Sequence, residues 1–272
     1  TLKAPAAVVA VWPELRLDRS PRARLSIRLQ EKRRDEALEK LRNAFAEARA
    51  YVKARAAEGK RGVPRHDLDP RMEALGPVVE GKIPLIVTAE SVQQIRAALQ
   101  WAKEQELKIV IAGASDGWRV ADELARANVP VIVEPPLSVP RRPDEPYDTT
   151  FAGPAILAKA GVRIAFNDGA HPGSAPTVRN LPQQAAMAVA FGLPRDKALQ
   201  AMTLEPARIL GVADRVGSLE VGKDATLFVS DGDVLDLRTH VVAAYLEGRT
   251  LDLSDRQKRL YDRYRNRPRP RR

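Results

Sequence analysis

The chain is 272 residues long and 44% hydrophobic, enough to bury the core of one large domain or two smaller ones. It has no cysteine, which excludes disulfides and thiolate-bound metal and fits a reducing, cytoplasmic setting; no apolar run approaches the ~20 residues a membrane-spanning helix needs, so no membrane role is expected. The net charge of +10 is gathered in two strips, +6 over residues 16–34 and +7 over 255–272, and without interleaved aromatics or a glycine-rich motif these read as solvated arginine-rich surface rather than a nucleic-acid footprint.

Taken in order, the chain opens on Thr1-Leu2-Lys3, with neither a signal-peptide pattern nor an initiator methionine, as a processed or truncated chain would. Ala6 to Trp12 reads as a strand stopped by Pro13. A long helix is expected from about Gln30 to Glu58, with Leu38, Leu41, Phe45, Ala48 and Val52 on one stripe and Gly59 and Gly62-Val63-Pro64 ending it. His66, beside Asp67 and Asp69, falls in the loop that follows and reads as exposed. A regular series then begins. Strand 83–88 leads to a helix from Ser91, where Ser91 and Gln94 have capping-box spacing. Strand 108–113 leads to a helix from about Asp116 with Ser115 as its cap, and strand 129–134 to a helix near 154–159. Strand 162–166 leads to a helix from Thr177 with Thr177 as its cap. Such alternation predicts an α/β fold with a parallel sheet, in which functional groups collect after the carboxyl ends of the strands. Asp168, in the turn Asn167-Asp168-Gly169, stands at such a place, and so do Thr88, Asp116, Glu134 and His171. The loop from Pro135 to Thr150 is proline-rich and too long for a mere connector, and is expected to cover the strand ends. Farther on, Ala225–Ser230 and Val241–Leu246 read as strands, Glu247-Gly248-Arg249 turns into a third, and Ser254 caps a final helix before an arginine-proline tail.

One group of motifs is more specific. Asp168 is followed by Gly192-Leu193, Ala198-Leu199, Thr203, Pro206-Ala207, Leu210-Gly211, Gly217-Ser218-Leu219 and Gly222-Lys223-Asp224-Ala225. In order and spacing this resembles the C-terminal region of the amidohydrolase superfamily, in its imidazolonepropionase-like and dihydroorotase-like branch. The resemblance covers 161–250 well and 81–160 more loosely, with Asn167, Glu205 and Thr226 departing from the usual Thr, Asn and Asp. It implies the C-terminal half of a (β/α)8 TIM-type barrel with a small β-sandwich segment. The expected divisions are a leading region over 1–80, the last four βα units over 81–214, the sandwich segment over 215–253 and a basic helix and tail over 254–272.

The resemblance also implies a chemistry: hydrolysis of a C–N bond in a small-molecule substrate, a cyclic amide first of all, by water bound to one or two divalent metals, zinc foremost. The family's ligands are a His-x-His on the first barrel strand, often a carboxylated Lys or Glu on the fourth, a His each on the fifth and sixth, and an Asp on the eighth that also takes the water's proton. Only that Asp has a counterpart here, Asp168; Thr88 and Ala112-Gly113 stand where the two single histidines would be, and the chain has three histidines in all. A hydroxyl or a glycine does not replace imidazole as a zinc ligand. The expectation is therefore one ion at most, or none, with Asp168 as ligand and base and with His171, Glu134, Thr88 and Asp116 around the substrate. A non-catalytic relative serving binding or assembly, with room for a homo-oligomer, is the second reading, and a basic nucleic-acid-associated module the remote third.

Overall fold

The computed structural model describes residues 1–14, 17–20, 22–59, 67–168, 175–265 and 267, with the side chains of 175 and 176 excepted. Two compact units divide at Gly217. Among the described residues no helix is long and apolar enough to cross a membrane.

The first unit is built on a five-stranded, wholly parallel sheet in sequential order: β1 Val8–Val11, β2 Leu85–Ala89, β3 Ile109–Gly113, β4 Val131–Val133 and β5 Ile164–Phe166. The four strands expected from periodicity are parallel and adjacent, each slightly shorter than the sequence suggested. The N-terminal strand adds a fifth beside β2, with Val8 opposite Leu85. Helices follow each strand: α1 Ile27–Ala57 and α2 Pro70–Val79 after β1, α3 Val92–Glu104 after β2, α4 Ala121–Arg126 after β3, α5 Thr149–Lys159 after β4, and α6 Leu181–Ala190, α7 Arg195–Met202 and α8 Leu204–Leu210 after β5.

Side chains alternate across this sheet. Leu85, Val87, Ile109, Ile111, Val131, Val133, Ile164 and Phe166 share one face by register, and all are buried. The other face carries Val9, Val11, Ile86, Thr88, Val110, Ala112, Ile132 and Ala165. Ile209 of α8 packs with Val110 and Ala165 there, with Ile86 and Ile132 beside them, whereas Val9 and Val11 remain 65% and 76% exposed. An aromatic cluster fastens the outer layer: Trp101 of α3 lies 5.5 Å from Trp12 and meets Phe45 of α1 edge-on at 5.2 Å between centroids.

Several local expectations need correction. α2 has Asp69 as its cap and Pro70 in its first turn, but Gly76-Pro77 near its end masked it in the sequence. Ser115 does not cap a helix: a 3-10 turn, Gly117–Val120, precedes α4, and the Ser115 hydroxyl donates elsewhere. Thr177 does not cap α6 either; 175–180 is a 3-10 turn, and the α-helix starts only at Leu181 because Pro182, lacking an N–H, fits its first turn. The last helix, α9 Arg256–Tyr264, is capped by Asp255, which accepts from the Lys258 N–H at 2.7 Å, while Ser254 turns back to Asp252. The second unit, 218–272, contains α9 and a three-stranded antiparallel sheet of β6 Leu227–Ser230, β7 Val241–Leu246 and β8 Arg249–Thr250.

Candidate active site

A parallel sheet opens all its carboxyl ends on one side, and here those ends carry Glu90 after β2, Ser115 and Asp116 after β3, Glu134 after β4 and Asp168 after β5. The turn after β3 is shaped around Glu90. Ala114 N–H donates to Ala89 O and Asp116 N–H to Glu90 O, both at 2.9 Å. Gly113 sits at φ +93°, and a Cβ there would meet Glu90 Oε1 at 2.2 Å, so only glycine leaves room for the carboxylate to lie across the strand end. Ala114 takes φ +55° next to it. The other oxygen, Glu90 Oε2, accepts from Ser115 Oγ at 2.6 Å, Ser115 N–H at 3.2 Å and Arg141 Nη1 at 3.1 Å.

Arg141 belongs to the proline-rich loop, and it is the first of two arginines that bring that loop back over the sheet. Arg142 reaches Asp116 Oδ2 at 2.5 Å and Glu145 at 2.9 Å, and Arg119 approaches Asp116 at 3.8 Å and Glu145 at 3.4 Å. Asp116 is only 4% exposed and also accepts from the Val92 N–H at the start of α3. Its carboxylate is thus committed to the loop and to α3. Gln184 of α6 accepts from the Leu137 N–H at 2.8 Å, tying the loop's near end.

Between this loop, the strand ends and α5 lies a pocket of about 140 Å³, lined among others by Ser115, Asp116, Glu134, Arg141, Thr149 and Thr150. Glu134 is itself exposed. Desolvation at the pocket wall pushes the Glu134 carboxyl up from the ordinary glutamate range, the negative Glu90 adds to this, and Arg141 opposes it.

Of the residues singled out from sequence, Asp116 and Glu134 line this pocket, together with Ser115. Thr88 lies at the end of β2 on the face opposite the buried one, and Asp168 follows β5; neither lines the pocket. Asn167, before Asp168, donates its amide to Val133 O at 2.9 Å, crossing to β4. Asp168 Oδ2 is buried with no hydrogen-bond partner. His171 and His66 lie outside the described residues. Sequence reasoning passed over Glu90, although the strand-end rule that picked out Asp168 applies to it equally. It had no signal for Arg141, whose partner is 51 residues away.

The metal implied by the resemblance can be tested on these residues. The orphaned Asp168 Oδ2 has the character of a ligand oxygen waiting for a cation. Yet among the described residues no three His, Asp or Glu side chains gather as a metal site would require. A complete ligand set is therefore not assembled by the residues described.

Comparison with known proteins follows the same lines. Residues 148–253 match the model of the amidohydrolase family. An imidazolonepropionase of Stenotrophomonas maltophilia (strain R551-3) is 37% identical over 86 residues, 32% of this chain and 21% of that protein. An imidazolonepropionase of Mesorhizobium japonicum is 37% identical over 76 residues, 28% of this chain and 19% of that protein. The matched stretch is thus about a fifth of these relatives' length. Among solved structures, an amidohydrolase from Thermotoga maritima MSB8 superposes with a TM-score of 0.76 at 29% identity, covering 92% of this chain and 63% of that one. A molinate hydrolase, at TM-score 0.50 and 19% identity over 85% of this chain and 61% of that one, shares the fold alone.

Proposed function

We propose that this chain, which matches the amidohydrolase family over residues 148–253 and resembles imidazolonepropionases over about a fifth of their length, hydrolyses a C–N bond in a small cyclic amide. Its five parallel strands form the C-terminal part of a (β/α)8 barrel in this reading, and the strand ends form the mouth. Asp168 is the base that takes a proton from water as the oxygen attacks the carbonyl carbon and passes it to the leaving amine as the C–N bond breaks. The single observation that supports this role is its buried, unpartnered carboxylate oxygen directly after β5, inside the matched stretch. Burial of a carboxylate oxygen without a partner costs stability that a purely structural residue would not retain. Where a divalent metal is bound, Asp168 would be one of its ligands, and the metal would lower the pKa of the attacking water toward ~7. Glu134 and Ser115 contact the substrate from the pocket, with Thr88 near the end of β2, while Asp116 anchors the loop beside it; His171 stays a substrate-binding candidate from the sequence alone.

The test compares the parent with Asp168→Asn on cyclic amides, hydantoins and small N-acyl compounds, with and without added divalent metal. Removing a general base costs about 10²–10⁴-fold in rate, and that loss is the expected result. An Asn variant as fast as the parent would falsify the assignment. A parent that turns over none of these compounds and retains no metal supports the second reading, a relative that keeps the fold for binding.

A further inference from the structure

α9 is amphipathic, and its apolar side is open to solvent. Leu260, Tyr261 and Tyr264 fall on one face at helical spacing, and they are 40%, 67% and 48% exposed. None of the nine residues of the helix is buried. Charge is arranged around this stripe in an ordered way. Arg256 and Arg263, two turns apart, border it on the Leu260 side, and Lys258 and Arg265 border it on the Tyr261 side. Arg259 and Asp262 take the opposite pole. The Arg263 guanidinium lies over the Tyr264 ring, 5.4 Å from its centroid, which keeps that cation at the edge of the stripe. Asp262 reaches Arg265 at 3.5 Å, an exposed pair that leaves both groups hydrated.

We propose that α9 lies in the surface of a bilayer rich in anionic lipid, with Leu260, Tyr261 and Tyr264 set below the headgroups and the bordering cations on the lipid phosphates. This is a second function, separate from the hydrolase reading. A helix of nine residues cannot span a bilayer, which takes about 20. It can lie along one: a strongly basic polar face beside an apolar stripe is the pattern of an interfacial helix. Tyrosine suits this depth, with its ring among hydrocarbon and its hydroxyl in water. Arginine and lysine beside the stripe lay their methylene stems along it and lift their charge to the phosphates. Asp262, at the far pole, is held away from the anionic surface.

Charge decides among the candidate partners. Residues 255–272 carry nine Lys or Arg against two acids, +7 in all, so a second copy of the helix is repelled. A nucleic acid offers phosphates but no hydrocarbon. It would leave Leu260 exposed, and it would be met best by cations across the middle of the face. Here the middle of the face is uncharged and the cations flank it on both sides. An anionic bilayer matches both parts, with hydrocarbon under the stripe and phosphates along its two borders.

Flotation of the full chain with vesicles, either pure phosphatidylcholine or an equimolar mixture with phosphatidylglycerol, tests this. The parent should partition onto the anionic vesicles at least about tenfold more strongly at about 0.1 M salt, and lose most of that preference at about 1 M. Leu260→Ser with Tyr264→Ser should weaken binding about tenfold. Arg263→Gln should weaken it about fivefold, whereas Arg259→Gln, one helix diameter farther from the lipid, should weaken it about twofold. Since no side chain of α9 is buried, all variants should keep the parent's melting transition. Without any variant, amide exchange over Arg256–Tyr264 should slow when anionic vesicles are added, because so short a helix frays in water. The proposal is overturned by a parent that prefers neither vesicle or by a serine variant that binds as the parent does. Equal losses in Arg263→Gln and Arg259→Gln also overturn it, because they reduce the attraction to net charge. A serine variant that melts earlier places the stripe in the chain's own packing and overturns it too. A parent that ignores the vesicles and shifts a single-stranded oligonucleotide gives the helix to nucleic acid instead.

Discussion

At the scale of single residues, the site depends on a glycine as much as on its acids. Gly113 has a backbone that a side chain rarely adopts, and an added methyl would lie 2.2 Å from Glu90 Oε1. Gly113→Ala must therefore strain the turn and push Glu90 off Ser115 and Arg141. The expected cost is about 1–3 kcal/mol, read from denaturant unfolding. An unchanged midpoint would show that Glu90 can settle elsewhere. Glycine before a turn was visible in the sequence, but its reason was not. Asp168 was legible because a buried apolar run ending in an acid is a local pattern. Glu90 follows the same pattern and could have been read; that Gly113 makes way for it requires β2 and β3 to be neighbours, which no local pattern states.

At the scale of elements, the loop between β4 and α5 is held down by charge. Arg142 is the central clasp, pairing with a nearly fully buried Asp116 and with Glu145. Taking Arg142 to Ala leaves Asp116 with only the more distant Arg119 and one backbone donor. Since Arg142 is itself about a third exposed, solvent screens part of the pair, and the expected loss is about 1–3 kcal/mol rather than that of a fully buried pair. Limited proteolysis should cut between residues 135 and 148 faster in Arg142→Ala than in the parent. Equal cutting would mean that the prolines and Gln184 hold the loop by themselves. The strands were legible from their β-branched runs, and the capping box at Ser91 formed as read. What failed were caps: Ser115, Thr177 and Ser254 are all good capping residues by type, but each lies next to a better partner or a proline that the type alone does not reveal. The covering role of the loop was legible from its length and prolines, whereas the two arginines that secure it act over 26 to 51 residues of sequence.

At the scale of the first unit as a whole, the question is what an open parallel sheet does with its second face. Its strand order leaves β1 and β5 as edges, and β1 carries Val9 and Val11 outward on the face that Ile209 covers only between β2 and β5. Sequence periodicity found the strand at Val8–Val11 but not its neighbour, because alternation tells which residues share a face and not which strand lies alongside. Parallel sheets are ordinarily covered on both faces, and an apolar edge strand with free backbone groups invites another chain. The chain of residues 1–272 taken alone should accordingly associate as its concentration rises, through β1 and the apolar face beside it. Sedimentation velocity across a concentration series tests this directly. Val9→Lys with Val11→Lys adds two charges to that edge without touching the buried face, where Val8 and Ala10 pair with Leu85 and Val87. The double variant should sediment as a monomer and melt within about 0.5 kcal/mol of the parent, as surface changes do. If the parent is already a monomer throughout the series, the exposed valines are tolerated as they stand and the face has no need of a cover. If the double variant still associates, the contact lies elsewhere, and β5 at the far edge is the next strand to charge.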